Sequence, residues 1–244
     1  MSSDLRSHHA LSVDTVPAQV ARHLLDRISE RGLRPGDTVD SEVQICKELQ
    51  VSRGSVREAY RLLAALGVLE IGTGRRPRVL AVNPSPLAQI FGHALQTAHA
   101  TPMHVIELRR GIEVQTAQLA ARFATDAQRA RLRELAQEMR AAEGDDARRM
   151  AADLAIHEML AVASGNPLNS LVLSALHDAI TRSLREDYTA QSSAAEIGRI
   201  VDAHEAVVDR VCEGDPVGAA AAMSCHFDLS VNSLARAQHR RNLT

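Results

Sequence analysis

The chain has 244 residues, enough for one large domain or two small ones. It has no Trp and only 2% aromatic residues, so its core must be built from aliphatic side chains, which favours packed helices over a β-sandwich. The formal net charge is −2, but residues 1–84 are weakly basic, with 12 Arg and Lys against 10 Asp and Glu. The three cysteines form no CxxC pair, and no apolar run approaches the roughly 18 residues of a membrane span. We therefore expect a cytoplasmic protein with free thiols.

The first 12 residues are polar, and we expect a disordered tail over residues 1–12. Val16-Pro17 opens the first predicted helix, and Gly32 ends it. Apolar residues at helical spacing form its inner stripe: Val20, Leu24, Leu25 and Ile28. This helix begins the first predicted domain, residues 13–82.

Two short helices joined by a tight turn are predicted over residues 41–67. Ser41 and Ser52 each precede a run of apolar residues at helical spacing, and both suit the N-cap of a helix. At its N-terminal end, opposite the apolar stripe, the second run carries three polar residues, Arg53, Ser55 and Arg57. In a helix-turn-helix these positions reach base edges, and the arginine fork matches O6 and N7 of guanine.

Two short strands are predicted next, over residues 67–71 and 75–80, with the turn Gly72-Thr73-Gly74 between them. Arg75 and neighbouring arginines follow the turn, so this hairpin could lie along phosphates or a minor groove. The two helices alone are equally compatible with an ordinary helical hairpin that exposes a charged face. A helix-turn-helix followed by a basic wing is a more specific pattern, and it indicates DNA binding.

Residues 17–82 resemble the winged helix-turn-helix domain of the GntR family of bacterial transcription regulators. The resemblance rests on Gly32-Leu33-Arg34-Pro35-Gly36-Asp37, Ser41-Glu42, Val51-Ser52-Arg53, Val56-Arg57-Glu58-Ala59, Leu63, Leu66-Gly67 and Gly74. It implies contacts with operator DNA near the start of the second helix and at the wing tip. Val43 stands where the family usually has a basic residue that touches phosphate, and Arg34 or Lys47 could compensate for it. The resulting set of candidate DNA-binding residues is Arg34, Ser52, Arg53, Ser55, Arg57, Gly74 and Arg75.

A linker over residues 83–86 ends this domain, because Pro84 and Pro86 break both strand and helix. Beyond it, apolar stripes punctuated by Gly and Pro predict seven helices and no strand. Their predicted ranges are about 86–98, 102–125, 126–143, 146–164, 167–188, 192–213 and 215–238. The second predicted domain, residues 87–238, is thus an antiparallel all-α bundle of six or seven helices. The fold class of the whole chain is mainly α, with a small β wing.

One carboxylate and three histidines of this bundle are predicted to point into its core. Asp153 and His157 stand at i and i+4 on one helix face, while His204 and His226 lie within the apolar stripes of the last two helices. Each histidine taken alone is more simply a core residue with satisfied hydrogen bonds. Four polar groups in one core are costly to desolvate unless something pairs them. A divalent metal is the better interpretation of the set, since imidazole and carboxylate suit zinc, nickel, manganese or iron.

The second domain also resembles the FCD ligand-binding domain of the FadR subgroup within the same family. The resemblance rests on Glu107-Leu108-Arg109-Arg110-Gly111-Ile112-Glu113, on Leu119-Ala120-Ala121 and on the turn Ser164-Gly165-Asn166. Many FCD domains hold a divalent metal through an Asp, a His four residues later and two further His. The resemblance therefore implies a divalent metal, zinc foremost, and a small organic-acid or sugar-acid effector, with the metal held by Asp153, His157, His204 and His226.

A six-coordinate ion with these four ligands has two open positions, which a carboxylate of the effector could fill. Arg109 is the candidate second anchor, for a far carboxylate or hydroxyl of the effector, because a guanidinium can hold a carboxylate through two hydrogen bonds. An ion pair with Glu113 at i+4 is an equally good role for Arg109. Asn166 is the second candidate effector contact, with a helix cap as the alternative. His177 has no carboxylate at a suitable spacing and is left out of the predicted site.

These features favour a ligand-responsive transcription regulator, expected to be a repressor that binds two-fold symmetric operator DNA as a homodimer. A metal-dependent hydrolase with an accessory DNA-binding head is the alternative. Against it, Glu158 is expected to face away from the metal ligands, and the sequence has no HExxH motif. An architectural DNA binder would leave the buried histidines without a purpose. We therefore expect no enzymatic activity and no membrane partner.

Overall fold

The computed structural model describes residues 15–72, 74–184 and 194–241, so the predicted tail over residues 1–12 lies outside it. The described residues form ten helices and one two-stranded sheet. This confirms the prediction of a mainly α protein. The chain divides between Pro86 and Leu87 into two compact units, which we name the winged unit and the helical unit.

The winged unit contains α1 (Val16–Glu30), α2 (Glu42–Leu49), α3 (Arg53–Ala65), β1 (Leu69–Glu70) and β2 (Arg78–Val79). The strands are antiparallel, with Leu69 opposite Val79. Both α1 and α2 pack against α3. The core between them includes Val20, Leu24, Ile45, Val56, Tyr60 and Leu63. The predicted winged helix-turn-helix is therefore confirmed.

Hydroxyl side chains fix the starts of both helices in the helix-turn-helix. Ser41 and Gln44 form a capping box, in which each side chain accepts a hydrogen bond from the backbone N–H of the other residue. Ser52 Oγ accepts from Ser55 N at 3.1 Å where α3 begins. Between the helices Gln50 adopts a left-handed conformation with φ 53°, so the chain turns tightly without a glycine.

Asp40, just before the N-cap of α2, binds residues of both neighbouring helices. Its carboxylate lies 3.2 Å from Arg27 and 3.0 Å from Arg31, both from the C-terminal end of the α1 region. The hydroxyl of Tyr60 on α3 donates to the carbonyl oxygen of Asp40 at 2.5 Å. Burial raises the pKa of Tyr60, so this hydroxyl stays neutral and keeps its proton.

Leu25, predicted to face the core, is exposed instead, and so is Leu66 at the end of the second helical run. Leu25 on α1 is 41% exposed, and Leu66 is 54% exposed because it lies just beyond the last residue of α3. The predicted strands over residues 67–71 and 75–80 shorten to two residues each. The second strand also pairs with the segment before α2, through a bridge between Arg78 and Thr38.

The helical unit has seven helices in the described residues, at positions close to those predicted. They are α4 (Ser85–Gln96), α5 (Pro102–Phe123), α6 (Asp126–Ala141), α7 (Asp146–Ala163), α8 (Pro167–Leu184), α9 (Ala194–Glu213) and α10 (Pro216–Arg241). Helix α4 begins inside the predicted linker over residues 83–86. Asn83 Oδ1 accepts a hydrogen bond from Ser85 N at 3.1 Å, and Pro86 falls in the first turn, where a helix needs no N–H donor.

Helix α10 runs along α5 and α9, while α7 packs against α5, α6 and α8. The core between these helices is aliphatic apart from Phe227 and includes Ala117, Leu132, Ile156, Leu160, Val208 and Met223. The predicted helical bundle is therefore confirmed. None of the described helices has an apolar stretch that could span a lipid bilayer.

Candidate DNA-binding surface and metal centre

The N-terminal end of α3 exposes the two arginines predicted to contact bases. Val56 and Tyr60 bury the opposite face of the helix, and this leaves Arg53 and Arg57 exposed. Arg57 Nε lies 3.5 Å from Glu42 Oε2 at the start of α2. The ion pair is solvent-exposed, so it orients the guanidinium without contributing much to stability.

Ser52 and Ser55, also predicted to assist DNA binding, are hydrogen-bonded to each other. Their Oγ atoms lie 2.9 Å apart, and Ser55 is half-buried. The structure therefore shows them stabilising the first turn of α3. Contact between either hydroxyl and DNA stays a prediction.

The wing places further predicted residues at an exposed turn. Gly74 has φ 72°, in the left-handed region that favours glycine, and Arg75 beside it is exposed. Arg34 is exposed in the loop after α1. That loop is tied to the wing, because Gly36 N donates to Val79 O at 2.8 Å. Arg34 and the wing thus belong to one hydrogen-bonded segment.

In the helical unit the four predicted metal ligands lie together. His157 on α7, His204 on α9 and His226 on α10 are 5, 2 and 5% exposed. Each of the three offers a ring nitrogen, and these nitrogens all lie within 4.8 Å of one another. Asp153, one turn before His157, places its Oδ1 2.8 Å from His204 Nε2. Three helices of the bundle therefore bring one carboxylate and three imidazoles to one point.

The hydrogen bonds of His204 and His157 show which nitrogen of each ring carries the hydrogen. His204 Nδ1 lies 2.8 Å from Ile200 O, and His157 Nδ1 contacts the carboxylate of Glu113. Both partners can only accept hydrogen bonds, so each Nδ1 carries a hydrogen. Each ring, when neutral, then presents a lone pair at Nε2. These two Nε2 atoms face each other at 3.3 Å.

Facing lone pairs repel each other unless a cation or a proton lies between them. Two nitrogens bound to one tetrahedral zinc, each at about 2.0–2.1 Å, are roughly 3.4 Å apart, close to the separation of the two Nε2 atoms. Asp153 faces the same nitrogen of His204. The buried Nδ1 of His226 has no hydrogen-bond partner in the described part of the chain. The donor set therefore fits a divalent metal ion.

The charges of Asp153 and His226 suit a metal site, whereas the charge of Asp153 favours a proton on His204, which a metal would have to displace. Burial favours the neutral form of Asp153, but His204 outweighs this and holds the pKa of that carboxyl well below its usual value. Burial disfavours protonation of His204, yet Asp153 raises its pKa overall. Burial, with His204 and His157 nearby, holds the pKa of His226 well below its usual value. Asp153 ionised and His226 neutral are the states that bind metals.

Glu113 on α5 is a buried carboxylate that sequence reasoning did not connect to the cluster. It is 1% exposed; one oxygen contacts His157 Nδ1, and Oε1 lies 2.7 Å from Arg109 Nε. Burial opposes its ionisation, but Arg109 and His157 lower the pKa of Glu113 to about 2. The sequence showed Glu113 only as the i+4 partner of Arg109. A carboxylate behind a metal-binding histidine orients the ring and raises its basicity.

A cavity of about 180 Å³ lies beside this network, between α5, α7 and α8. Its polar lining consists of Arg109, Glu113, His157, Glu158, Ser170, Ser174 and His177. His177, which the sequence does not assign to the predicted site, lines this cavity, and so does the exposed Glu158. Burial and then the charge of Arg109 lower the pKa of His177. The cavity therefore combines the cationic guanidinium of Arg109 and the ionised carboxylate of Glu113 with hydrogen-bonding groups on α7 and α8.

Asn166 is not brought to this cavity. It is exposed and does not belong to the described lining. Its Oδ1 accepts a hydrogen bond from Leu168 N at 3.1 Å where α8 begins. The structure thus gives Asn166 the helix-capping role that was the alternative to an effector contact.

Comparison with known proteins agrees with both units. Residues 17–79 match the bacterial regulatory proteins of the gntR family, and residues 104–229 match the FCD domain. The HTH-type transcriptional regulator LutR of Bacillus subtilis (strain 168) is 30% identical over 197 residues, which cover 80% of this chain and 90% of LutR. The putative L-lactate dehydrogenase operon regulatory protein of Escherichia coli (strain K12) is 27% identical over 230 residues, 91% of this chain and 88% of that protein.

A solved structure, the Streptococcus agalactiae GntR, resembles the chain with a TM-score of 0.66 and 26% sequence identity. The likeness covers 89% of this chain and 99% of that one. The sequence matches, the winged unit and the helical unit therefore lead to one conclusion: the chain belongs to the GntR family of bacterial transcriptional regulators and carries an FCD domain.

Proposed function

We propose that the winged unit binds operator DNA and that a small carboxylate in the helical unit controls the affinity of this binding. The observation that carries the proposal is the capped start of α3, where Arg53 and Arg57 are exposed, in a unit that also carries a basic wing. In this arrangement α3 enters a major groove and the two arginines read base edges. The exposed Arg34 and Arg75 are proposed to contact phosphates, which would add affinity without sequence specificity.

The helical unit is proposed to hold one divalent ion through Asp153, His157, His204 and His226. Zinc is the first choice, and nickel, manganese or iron also suit nitrogen and oxygen ligands. One carboxylate and three neutral imidazoles leave such a centre with a net charge of about +1. The ion would supply a local positive field that favours an anion in the adjoining cavity.

The effector is proposed to be a small organic acid whose carboxylate is anchored by Arg109. The cavity of about 180 Å³ is smaller than the roughly 300 Å³ at which pockets for drug-sized ligands begin. An acid of a few carbon atoms therefore fits better than a sugar acid. The E. coli relative named for an L-lactate dehydrogenase operon makes L-lactate the first acid to test.

Control of operator affinity requires only that the acid bind one arrangement of the helical unit better than another. Its carboxylate would draw Arg109 on α5 towards the polar groups of α7 and α8. By linkage, operator DNA must change the affinity for the acid by the same factor as the acid changes the affinity for DNA.

A regulator explains this site better than a hydrolase does. The buried carboxylate nearest to the cluster, Glu113, is already bound to Arg109 and His157. It is therefore not placed to accept a proton from a metal-bound water. Steady turnover of an organic acid by the purified, metal-loaded chain would contradict the proposal.

The experiment is fluorescence anisotropy of labelled DNA from upstream of the chain's own gene, titrated with metal-loaded protein. Adding L-lactate and a panel of other small carboxylates should change the operator affinity for at least one acid. Arg109→Gln should bind the same DNA without responding to that acid. If no carboxylate changes the affinity, or if the variant responds like the wild type, the effector proposal is wrong.

A further inference from the structure

Three charged or polar side chains form a continuous path from the cavity to the histidine cluster. Arg109 Nε donates to Glu113 Oε1 at 2.7 Å, and the other oxygen of Glu113 accepts from His157 Nδ1. Glu113 and His157 are 1 and 5% exposed, and the Arg109 side chain is 13% exposed. One buried carboxylate therefore divides its two oxygens between a cation and an imidazole.

This path is where the cavity approaches the cluster. Of the four proposed metal ligands, only His157 belongs to the described lining of the cavity. Arg109 and Glu113 line it as well, and the guanidinium carbon of Arg109 lies 5.7 Å from the centre of the Phe227 ring on α10. An acid anchored at Arg109 would thus meet the cluster through Glu113 and His157 rather than through Asp153, His204 or His226.

We infer that Glu113 is a positioning residue that transmits the arrival of an anion at Arg109 to the metal site through His157. This inference rests on the proposed function, since it assumes that the cluster holds a metal and that the cavity holds an acid. Glu113 would thereby couple acid binding at Arg109 to metal binding at the cluster, although it is not itself a proposed metal ligand.

Whether acid binding strengthens or weakens metal binding depends on the two hydrogen bonds that Glu113 accepts, one from Arg109 and one from His157. The guanidinium of Arg109 withdraws electron density from the carboxylate and weakens its hydrogen bond to His157 Nδ1. A ligand carboxylate at Arg109 neutralises part of that positive charge, so Glu113 accepts the Nδ1 hydrogen more strongly. His157 Nε2 then donates its lone pair to the metal more strongly, because a carboxylate hydrogen-bonded to the other ring nitrogen makes a histidine a stronger metal ligand. Acid binding and metal binding therefore strengthen each other.

The first test needs zinc alone. Zinc affinity of the full chain is measured by competition with a chromophoric chelator for the wild type, Glu113→Gln, Arg109→Gln and the double variant. Glu113→Gln should lose about 10–100-fold in affinity, whereas Arg109→Gln should gain severalfold and Arg109→Lys, which keeps the charge, should stay near wild type. In the double variant the gain should disappear. Equal gains with and without Glu113→Gln would overturn the inference, as would no gain at all.

A second test avoids Arg109 variants that fail to fold. Acetate serves as the probe anion, and zinc affinity is measured with and without saturating acetate for the wild type and Glu113→Gln, against chelator controls at the same acetate concentration. Acetate should tighten zinc binding in the wild type and have little effect in the variant. Equal tightening in both proteins would show direct ligation and overturn the inference. A wild type that binds no zinc would instead contradict the proposed function itself.

Discussion

Arg53 and Arg57 are the two side chains on which we expect sequence-specific DNA binding to depend. Both are exposed at the N-terminal end of α3, and Glu42 orients Arg57 from the neighbouring helix. A guanidinium that hydrogen-bonds guanine in two places discriminates against other bases, whereas a phosphate contact adds only affinity. We therefore expect the sequence specificity of DNA binding to come from these residues rather than from the wing.

Replacing either arginine tests this assignment. Arg57→Ala and Arg53→Ala should each weaken specific operator binding by about 1–3 kcal/mol while leaving binding to unrelated DNA less affected. Arg122→Ala is a matched control, because Arg122 is exposed on α5 in the helical unit. Anisotropy titrations at one fixed salt concentration measure the difference. Wild-type affinity in both variants would refute the proposed recognition surface.

The residues of the candidate metal site differ in how far the sequence could predict them. Asp153 and His157 share a helix face through their spacing, and the apolar stripes around His204 and His226 predict that both are buried; all four lie together in the structure. Glu113 has a clear i+4 partner on its own helix, so nothing in the pattern of α5 indicates that it also contacts α7. Such contacts depend on how helices pack, and side-chain periodicity within one helix carries no information about them.

The ends of the helices could be predicted from the sequence because prolines and glycines mark them. Pro102, Pro167 and Pro216 all lie in first turns, and Gly144 and Gly214 follow helix ends with positive φ. The strands of the wing were predicted too long because β propensity does not show how many residues of one strand pair with the other. The start of α4 lies one residue before the predicted start at about residue 86, since a proline in a first turn is compatible with both a linker and a helix.

Arg129 on α6 joins the C-terminal ends of two other helices. Its guanidinium donates to Cys212 O of α9 at 2.9 Å and to Ala124 O and Ala121 O of the α5 terminus at 3.2 and 3.4 Å. The last carbonyls of a helix have no partner within it and carry partial negative charge. A single cation thus satisfies carbonyls at the ends of α5 and α9.

We expect Arg129→Gln to lower the free energy of unfolding by about 1.5–3 kcal/mol, the range for hydrogen bonds to a charged group. Arg133→Gln is the control, because Arg133 is exposed on the same helix and surface changes stay within about 0.5 kcal/mol. Urea unfolding followed by circular dichroism, at one protein concentration, measures both. Equal losses in the two variants would mean that the carbonyl contacts contribute nothing specific.

For the whole molecule, a single winged unit presents one recognition helix and is too small to give high specificity by itself. We expect a homodimer that binds a two-fold symmetric operator, with half-sites separated by one DNA turn or a multiple of it. Sedimentation velocity with and without DNA measures the assembly, and footprinting locates the protected half-sites. A monomer that protects one half-site would contradict this expectation.

The central proposal is a divalent metal ion at Asp153, His157, His204 and His226. Such an ion would lie between the facing nitrogens of His157 and His204 and would favour an anion in the adjoining cavity. The most direct measurement is elemental analysis of protein purified without chelator. We predict about one divalent ion per wild-type chain and none in His204→Ala/His226→Ala, a variant that keeps its winged unit and still binds DNA without responding to the acid. Wild-type protein that contains no metal, and that still responds to its acid after treatment with a chelator, would show that the histidines are only part of the core.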